Sequence, residues 1–174
     1  MSLVTKRGDD GRTDLWFADR VPKYHPQVEA FGAIYEAQAA LGLARAMAPD
    51  WLKPAILQIQ KDLFTASSEL ATLRGKAGRL KERVGPELVA WAEGEVARYE
   101  RAIKLTDWTI SGGSAGGAAL DLALTILRRG ERWAVRLRDE GYVENRDLLV
   151  YLNRLSDLLF LMARAVDRGV EVSA

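Results

Sequence analysis

Two short stretches carry residue types that could do chemistry. The first is "TKRGDDGRT", residues 5 to 13. Its glycines at 8 and 11 let backbone N–H groups turn toward an anion, Lys6 adds a mobile point charge, and Thr5 and Thr13 add hydroxyl donors. Together these groups could wrap a polyphosphate. A glycine-containing loop with exposed charges is also an ordinary solvated turn, and the stretch lacks the GxxxxGK[ST] pattern of a P-loop. Asp9 and Asp10 could reach a magnesium ion carried by phosphates, or simply shape the turn.

The second stretch is "LRRGERW", residues 127 to 133. Arg128 and Arg132 stand four apart on one helical face with Glu131 between them, a spacing that suits a surface ion-pair ladder or a guanidinium cluster aimed at phosphate. Gly130 inside a helix costs about 1 kcal/mol relative to alanine, which points to close approach by another group. "SGGSAGG" could form an anion nest, but small residues there also permit close packing. His25 precedes a proline in a polar loop, and its default is a solvated residue. The five tryptophans suit core or interface positions better than cofactor stacking.

Other chemistry is excluded. The chain has no cysteine and one histidine, so thiolate catalysis, disulfides and the usual zinc sites drop out. No Ser-His-Asp set or paired-carboxylate arrangement is visible. With Lys and Arg at 25 against Asp and Glu at 24, the charge balance gives no footprint for nucleic acid or an anionic membrane, so an anionic ligand must meet a local basic cluster. The absence of a long apolar run predicts a soluble cytoplasmic protein.

The elements that must position these residues are helical. A proline-initiated, alanine-rich helix runs from Pro26 toward Pro49, and a stripe at steps of three and four predicts a second from Trp51 to about Leu73. Pro86 opens a third, reaching Ile103, with a less apolar face. Ser114 caps a fourth through about Glu140, and Asn145 starts a fifth that Gly169 stops. Five helices with no alternating strand pattern imply an all-α, five-helix bundle with ferritin-like up-down packing. Residues 1–174 read as one domain, of which 1–25 form a leading loop segment.

Taken together, "TKRGDDGRT", "VEAFGAIYEAQAALGLAR", "LQIQKDLFTASSELAT", "ISGG", "LRRGERWAVRL" and "YLNRLSDLLFLMAR" follow the order and spacing of the PduO-type corrinoid adenosyltransferases, which this chain resembles over nearly its whole length. The resemblance implies a homotrimer that transfers the adenosyl group of ATP to cob(I)alamin at sites between subunits, with magnesium and ATP required. It makes Thr5, Lys6, Gly8, Gly11, Thr13 and Lys23 the ATP loop. Arg128, Arg129 and Arg132 become nucleotide-facing arginines, Glu131 the acid beside them, and Asn153 a further nucleotide contact. Arg129, Glu131 and Arg132 are the residues expected to support the reaction, and Trp108 stands on the corrinoid side.

The resemblance also implies a cytoplasmic location and a cobalamin-dependent enzyme as recipient of the product, with no nucleic acid or membrane partner. The chain departs from the family pattern at Arg7 in place of a threonine, Tyr35 of an acid, Asp121 of a histidine, Leu124 of an arginine and Trp108 of a phenylalanine. Tyr35 and Leu124 replace both halves of an intersubunit ion pair and are expected to pack on each other. The same departures allow a second outcome, a non-catalytic homologue that binds ATP or corrinoid as a carrier or regulator.

Overall fold

In the computed structural model, which describes residues 4–17, 20–105 and 108–172, five helices form the body. They are α1 (Pro26–Met47), α2 (Lys53–Leu70), α3 (Pro86–Ala102), α4 (Ala115–Asp139) and α5 (Arg146–Asp167). Helix α1 packs on α2 and α4, α4 on α5, and α3 covers the outer side of α5. Across the middle, the Tyr151 phenol donates to the Asp62 carboxylate at 2.7 Å and joins α5 to α2.

The helix starts follow from local chemistry. Ser114 Oγ accepts from the Gly117 N–H at 3.0 Å, and Asn145 Oδ1 accepts from the Asp147 N–H at 3.1 Å, each satisfying an orphan donor of a first turn. His25 does the same for α1: its Nδ1 accepts from the Gln27 N–H at 3.2 Å and its ring meets Tyr142 edge-on. The expected solvated histidine is therefore a half-buried helix cap.

Helix α2 ends at Leu70, three residues short of expectation, because its last carbonyls are taken. Gln27 Nε2 donates to the carbonyls of Leu70 and Thr72 at 2.9 and 2.8 Å, and the Trp16 N–H donates to that of Ala71 at 2.9 Å. The Leu73 N–H then returns a bond to the Trp16 carbonyl at 3.1 Å, which fastens the leading segment to the end of α2.

Helix α5 is buried on more sides than its stripe of Leu148, Leu152, Leu155, Leu159 and Met162 predicts. Leu158, Leu161 and Ala165 are covered as well, since α3 closes the back of the helix. Gly130 answers the close approach it implied. A Cβ there would stand 2.7 Å from Ile34 Cδ1, so α1 seats directly on this point of α4.

The leading segment corrects the purely helical expectation. Residues Arg12–Asp14 (β1) and Arg20–Pro22 (β2) pair as a short antiparallel hairpin, with Thr13 opposite Val21. Three residues per strand are too few for any alternation to register in sequence. The "TDWTISGG" breaker begins at Thr106 and Asp107, which lie outside the described residues. Trp51, Trp91 and Trp133 pack partly buried against the core, whereas Trp16 is 53% exposed and Trp108 fully exposed.

Candidate functional site

The hairpin loop is built around Arg20. Its guanidinium forks onto Asp10, with Nη1 to Oδ2 at 3.0 Å and Nη2 to Oδ1 at 2.7 Å, and Nη2 also reaches the carbonyls of Arg7 and Arg12. A planar, permanently charged fork suits this bidentate role. The bond from Arg20 holds the Asp10 carboxyl below its ordinary range. Arg7, the departure from threonine, bonds Asp14 at 3.0 Å and braces the hairpin rather than pointing freely outward.

Of the six expected residues the structure brings Gly8, Gly11 and Lys23 together, while Thr13 lies on β1 opposite Val21 and Thr5 and Lys6 precede the turn without lining the depression. Gly11 has φ of +78°, in the left-handed region, and its carbonyl accepts from the Lys23 N–H at 2.9 Å. Lys6 is also left-handed, at φ +58°. Lys23 Nζ lies 3.2 Å from where a Cβ at Gly8 would sit, so the bare glycine lets the ammonium fold over the loop. Asp10, Gly11, Arg12, Lys23, Tyr24 and Glu29 line an open depression of about 600 Å³. Arg12, Tyr24 and the organising Arg20 were not singled out by sequence. Arg20 lies ten residues from its carboxylate partner, and no spacing rule announces that pairing.

The second group lies on α4 and α5. Arg128 and Arg132 are exposed and, among the described residues, form no ion pair. The ladder that their spacing allowed is not formed. The Glu131 carboxylate instead accepts from Asn153 Nδ2 at 3.0 Å, and Asn153 Oδ1 accepts from Arg154 at 3.0 Å. Arg154 is fixed in turn by Glu93 at 3.1 Å. Arg128, Glu131, Arg132 and Val135 line a depression of about 350 Å³. Arg129 points elsewhere and pairs with Glu36 of α1.

Two cationic arginines one helical turn apart repel weakly and gain nothing without an anion between them. Their face is chemically suited to phosphate oxygens, with Asn153 and Glu131 locked beside it. The loop depression and the α4 depression share no lining residue and are two separate hollows on the single chain. Tyr35 packs edge-on against Phe31 at 5.8 Å, while Leu124 is already buried in its own chain's core, which leaves little of Leu124 for the expected contact across a subunit boundary. Asp121 is buried and bonds Arg164 at 2.5 Å.

Comparison with known proteins agrees with this architecture. Residues 3–166 match the cobalamin adenosyltransferase family model. The chain is 36% identical over 169 residues to the corrinoid adenosyltransferase PduO of Salmonella typhimurium, covering 96% of this chain and 50% of that protein. It is 35% identical to a corrinoid adenosyltransferase of Mycobacterium tuberculosis, covering 98% of this chain and 91% of that one. The chain thus spans half the length of the Salmonella relative and nearly all of the mycobacterial one. A variant PduO-type ATP:corrinoid adenosyltransferase of Lactobacillus reuteri, complexed with cobalamin and ATP, superposes with a TM-score of 0.86 at 29% identity, covering 96% and 94% of the two chains. A second variant of that protein, complexed with ATP, gives 0.87 at 28% identity.

Proposed function

The chain belongs to the cobalamin adenosyltransferase family, and on that premise we propose that it transfers the 5′-deoxyadenosyl group of ATP to cob(I)alamin, at sites shared between subunits of a homotrimer. The reduced cobalt supplies both electrons of the new cobalt–carbon bond as it attacks C5′ of the ribose. The C5′–O5′ bond breaks and its pair leaves with the triphosphate. No protein base or nucleophile is needed, which fits a site whose carboxylates Asp10 and Glu131 are engaged by Arg20 and Asn153.

The protein's work is to hold and orient. Lys6, Lys23 and the Gly8 and Gly11 backbone of one subunit receive the phosphates. Arg128 and Arg132 of another complete the cradle, with Asn153 held against Glu131 to contact the nucleotide. Arg129 joins them by exchanging Glu36 for phosphate. The observation that carries this assignment is the unpaired state of Arg128 and Arg132 on one face, among the described residues. On this reading the two depressions, which share no lining residue, are completed by a neighbouring subunit.

Among the described residues no group of three His, Cys, Asp or Glu could cage a metal ion. Magnesium is taken to arrive with the nucleotide's phosphates, where one or two carboxylates at most would complete its shell. No helix among the described residues is long and apolar enough to cross a membrane, in keeping with a cytoplasmic location and delivery of product to a cobalamin-dependent enzyme.

The test is to mix the purified protein with ATP and chemically reduced cobalamin and follow formation of the cobalt–carbon bond spectroscopically. Product formation with release of triphosphate is expected. A protein that binds ATP by calorimetry yet forms no product is the non-catalytic carrier instead, and the departures at Tyr35, Asp121 and Leu124 become its explanation.

A further inference from the structure

Arg164 is the most deeply buried arginine side chain in an ion pair among the described residues, with 4% of its side chain exposed. It stands in the last turn of α5 and gathers three partners. Nη2 bonds Asp121 of α4 at 2.5 Å and approaches Asp167 at 3.1 Å, while Nη1 donates to Thr109 Oγ1 at 3.3 Å. Asp167 in turn accepts from Ser114 Oγ at 2.7 Å, and a Cβ at Gly117 would stand 2.0 Å from the Asp167 carboxylate. The glycine-rich start of α4 is thus shaped to admit this cluster.

Thr109 is the exposed member, and its neighbours are unusual. Trp108 and Ile110 are 102% and 92% exposed, two large apolar side chains held out in water on either side of the tethered threonine. Exposed apolar surface of this size has a cost unless something covers it. The hydrogen bond from a buried guanidinium gives the segment a fixed point on the rigid end of the bundle. Arg164 is fixed by two carboxylates and stacks over the Phe160 ring at 5.1 Å; its buried Nε meets no acceptor, and Nη1 is the group that reaches out to Thr109.

We infer that Arg164, oriented by Asp121, is a positioning residue. Through Thr109 it holds Trp108 and Ile110 where they meet the corrinoid face, and so sets corrinoid affinity without touching ATP. This inference rests on adenosyl transfer being the activity.

The test compares Thr109→Val, which keeps the shape and loses the acceptor, with Thr109→Ser, which keeps it. Thr109 is exposed, and neither change touches the buried pair, so both variants fold. Two readouts are used: the rate of tryptic cleavage after Lys104 in the ligand-free protein, followed by mass spectrometry, and KM for cob(I)alamin and for ATP separately. Thr109→Val is expected to be cut several times faster and to raise KM for the corrinoid about three- to tenfold, with KM for ATP and thermal midpoint unchanged, while Thr109→Ser behaves as the parent. Equal cleavage in the valine and serine variants overturns the tether. Faster cleavage with an unchanged corrinoid KM, or an equal rise in both KM values, overturns the positioning role. A parent protein that makes no cobalt–carbon bond refutes adenosyl transfer and the corrinoid half with it, and the cleavage comparison still decides the tether.

Discussion

Replacing Gly130 by alanine tests how the arginine-bearing helix is seated. In an isolated helix the change stabilises by about 0.5–1 kcal/mol. Here the new Cβ would lie 2.7 Å from Ile34 Cδ1, 3.4 Å from Ile34 Cγ1 and 3.5 Å from Ala33 Cβ. Ile34 has no exposed surface, so it cannot swing away. Overpacking of this kind costs about 1–3 kcal/mol, leaving Gly130→Ala roughly 0–2.5 kcal/mol less stable than the parent. The offending atom is Cδ1, and Ile34→Val removes that atom, at its own cost of about 0.5–1.5 kcal/mol.

In the double variant the clash is relieved while the helix propensity gain remains, so the two changes should be non-additive by about 1–3 kcal/mol in the favourable direction. Denaturant unfolding of the four proteins at one temperature measures this coupling directly. Because Arg128, Arg129 and Arg132 flank the contact, Gly130→Ala should also weaken ATP binding, and Ile34→Val should restore it in the double variant. A Gly130→Ala protein more stable than the parent, or four stabilities that simply add, would refute the close seating of α1 on α4.

Three further outcomes are expected. Arg132→Ala removes one charge-assisted contact and should weaken ATP binding by about 1.5–3 kcal/mol in calorimetry with the oligomeric state unchanged; unaltered affinity would reduce the arginine to a surface residue. Burial pushes the Tyr99 phenol up to about 12, and burial beside Asp62 raises Tyr151 as well. A raised folded pKa gives stability that is complete below the ordinary value of about 10 and lost as pH climbs through 12, so denaturation midpoints should fall over that window and fall less in Tyr99→Phe. Asp10 is held low first by its bond to Arg20, so loop order tied to that pair persists above the ordinary carboxylate range and is lost as pH drops below it; in Arg20→Gln the Asp10 titration, read by carboxyl NMR, should move up toward normal.

The helix frame was legible because its signals are local. Pro26, Pro86, Ser114, Asn145 and Gly169 each act within one turn, and the starts of four helices stand where those residues place them. Partners far apart in sequence were not legible. Arg20 meets Asp10 across the hairpin, Arg164 meets Asp121 across 43 residues, and Tyr151 meets Asp62 across 89, with no periodicity to pair them. The candidate site divides in the same way. Glycine spacing marked a turn in the leading loop, where Gly11 is left-handed, yet nothing in "LRRGERW" shows that Glu131 turns to Asn153 while Arg129 turns to Glu36. Those choices depend on which face of α4 meets α1 and α5, and only packing decides that.

The attachment at Trp16 has a consequence for how such a chain can change. Its fastening to α2 uses main-chain N–H and C=O groups, and the loop's shape comes from the Arg20 fork on Asp10. Lys6, Gly8 and Thr13 therefore contribute almost nothing to cohesion of the helices. The leading segment is an interchangeable cassette, in which side chains can be exchanged while the bundle that carries it stays the same.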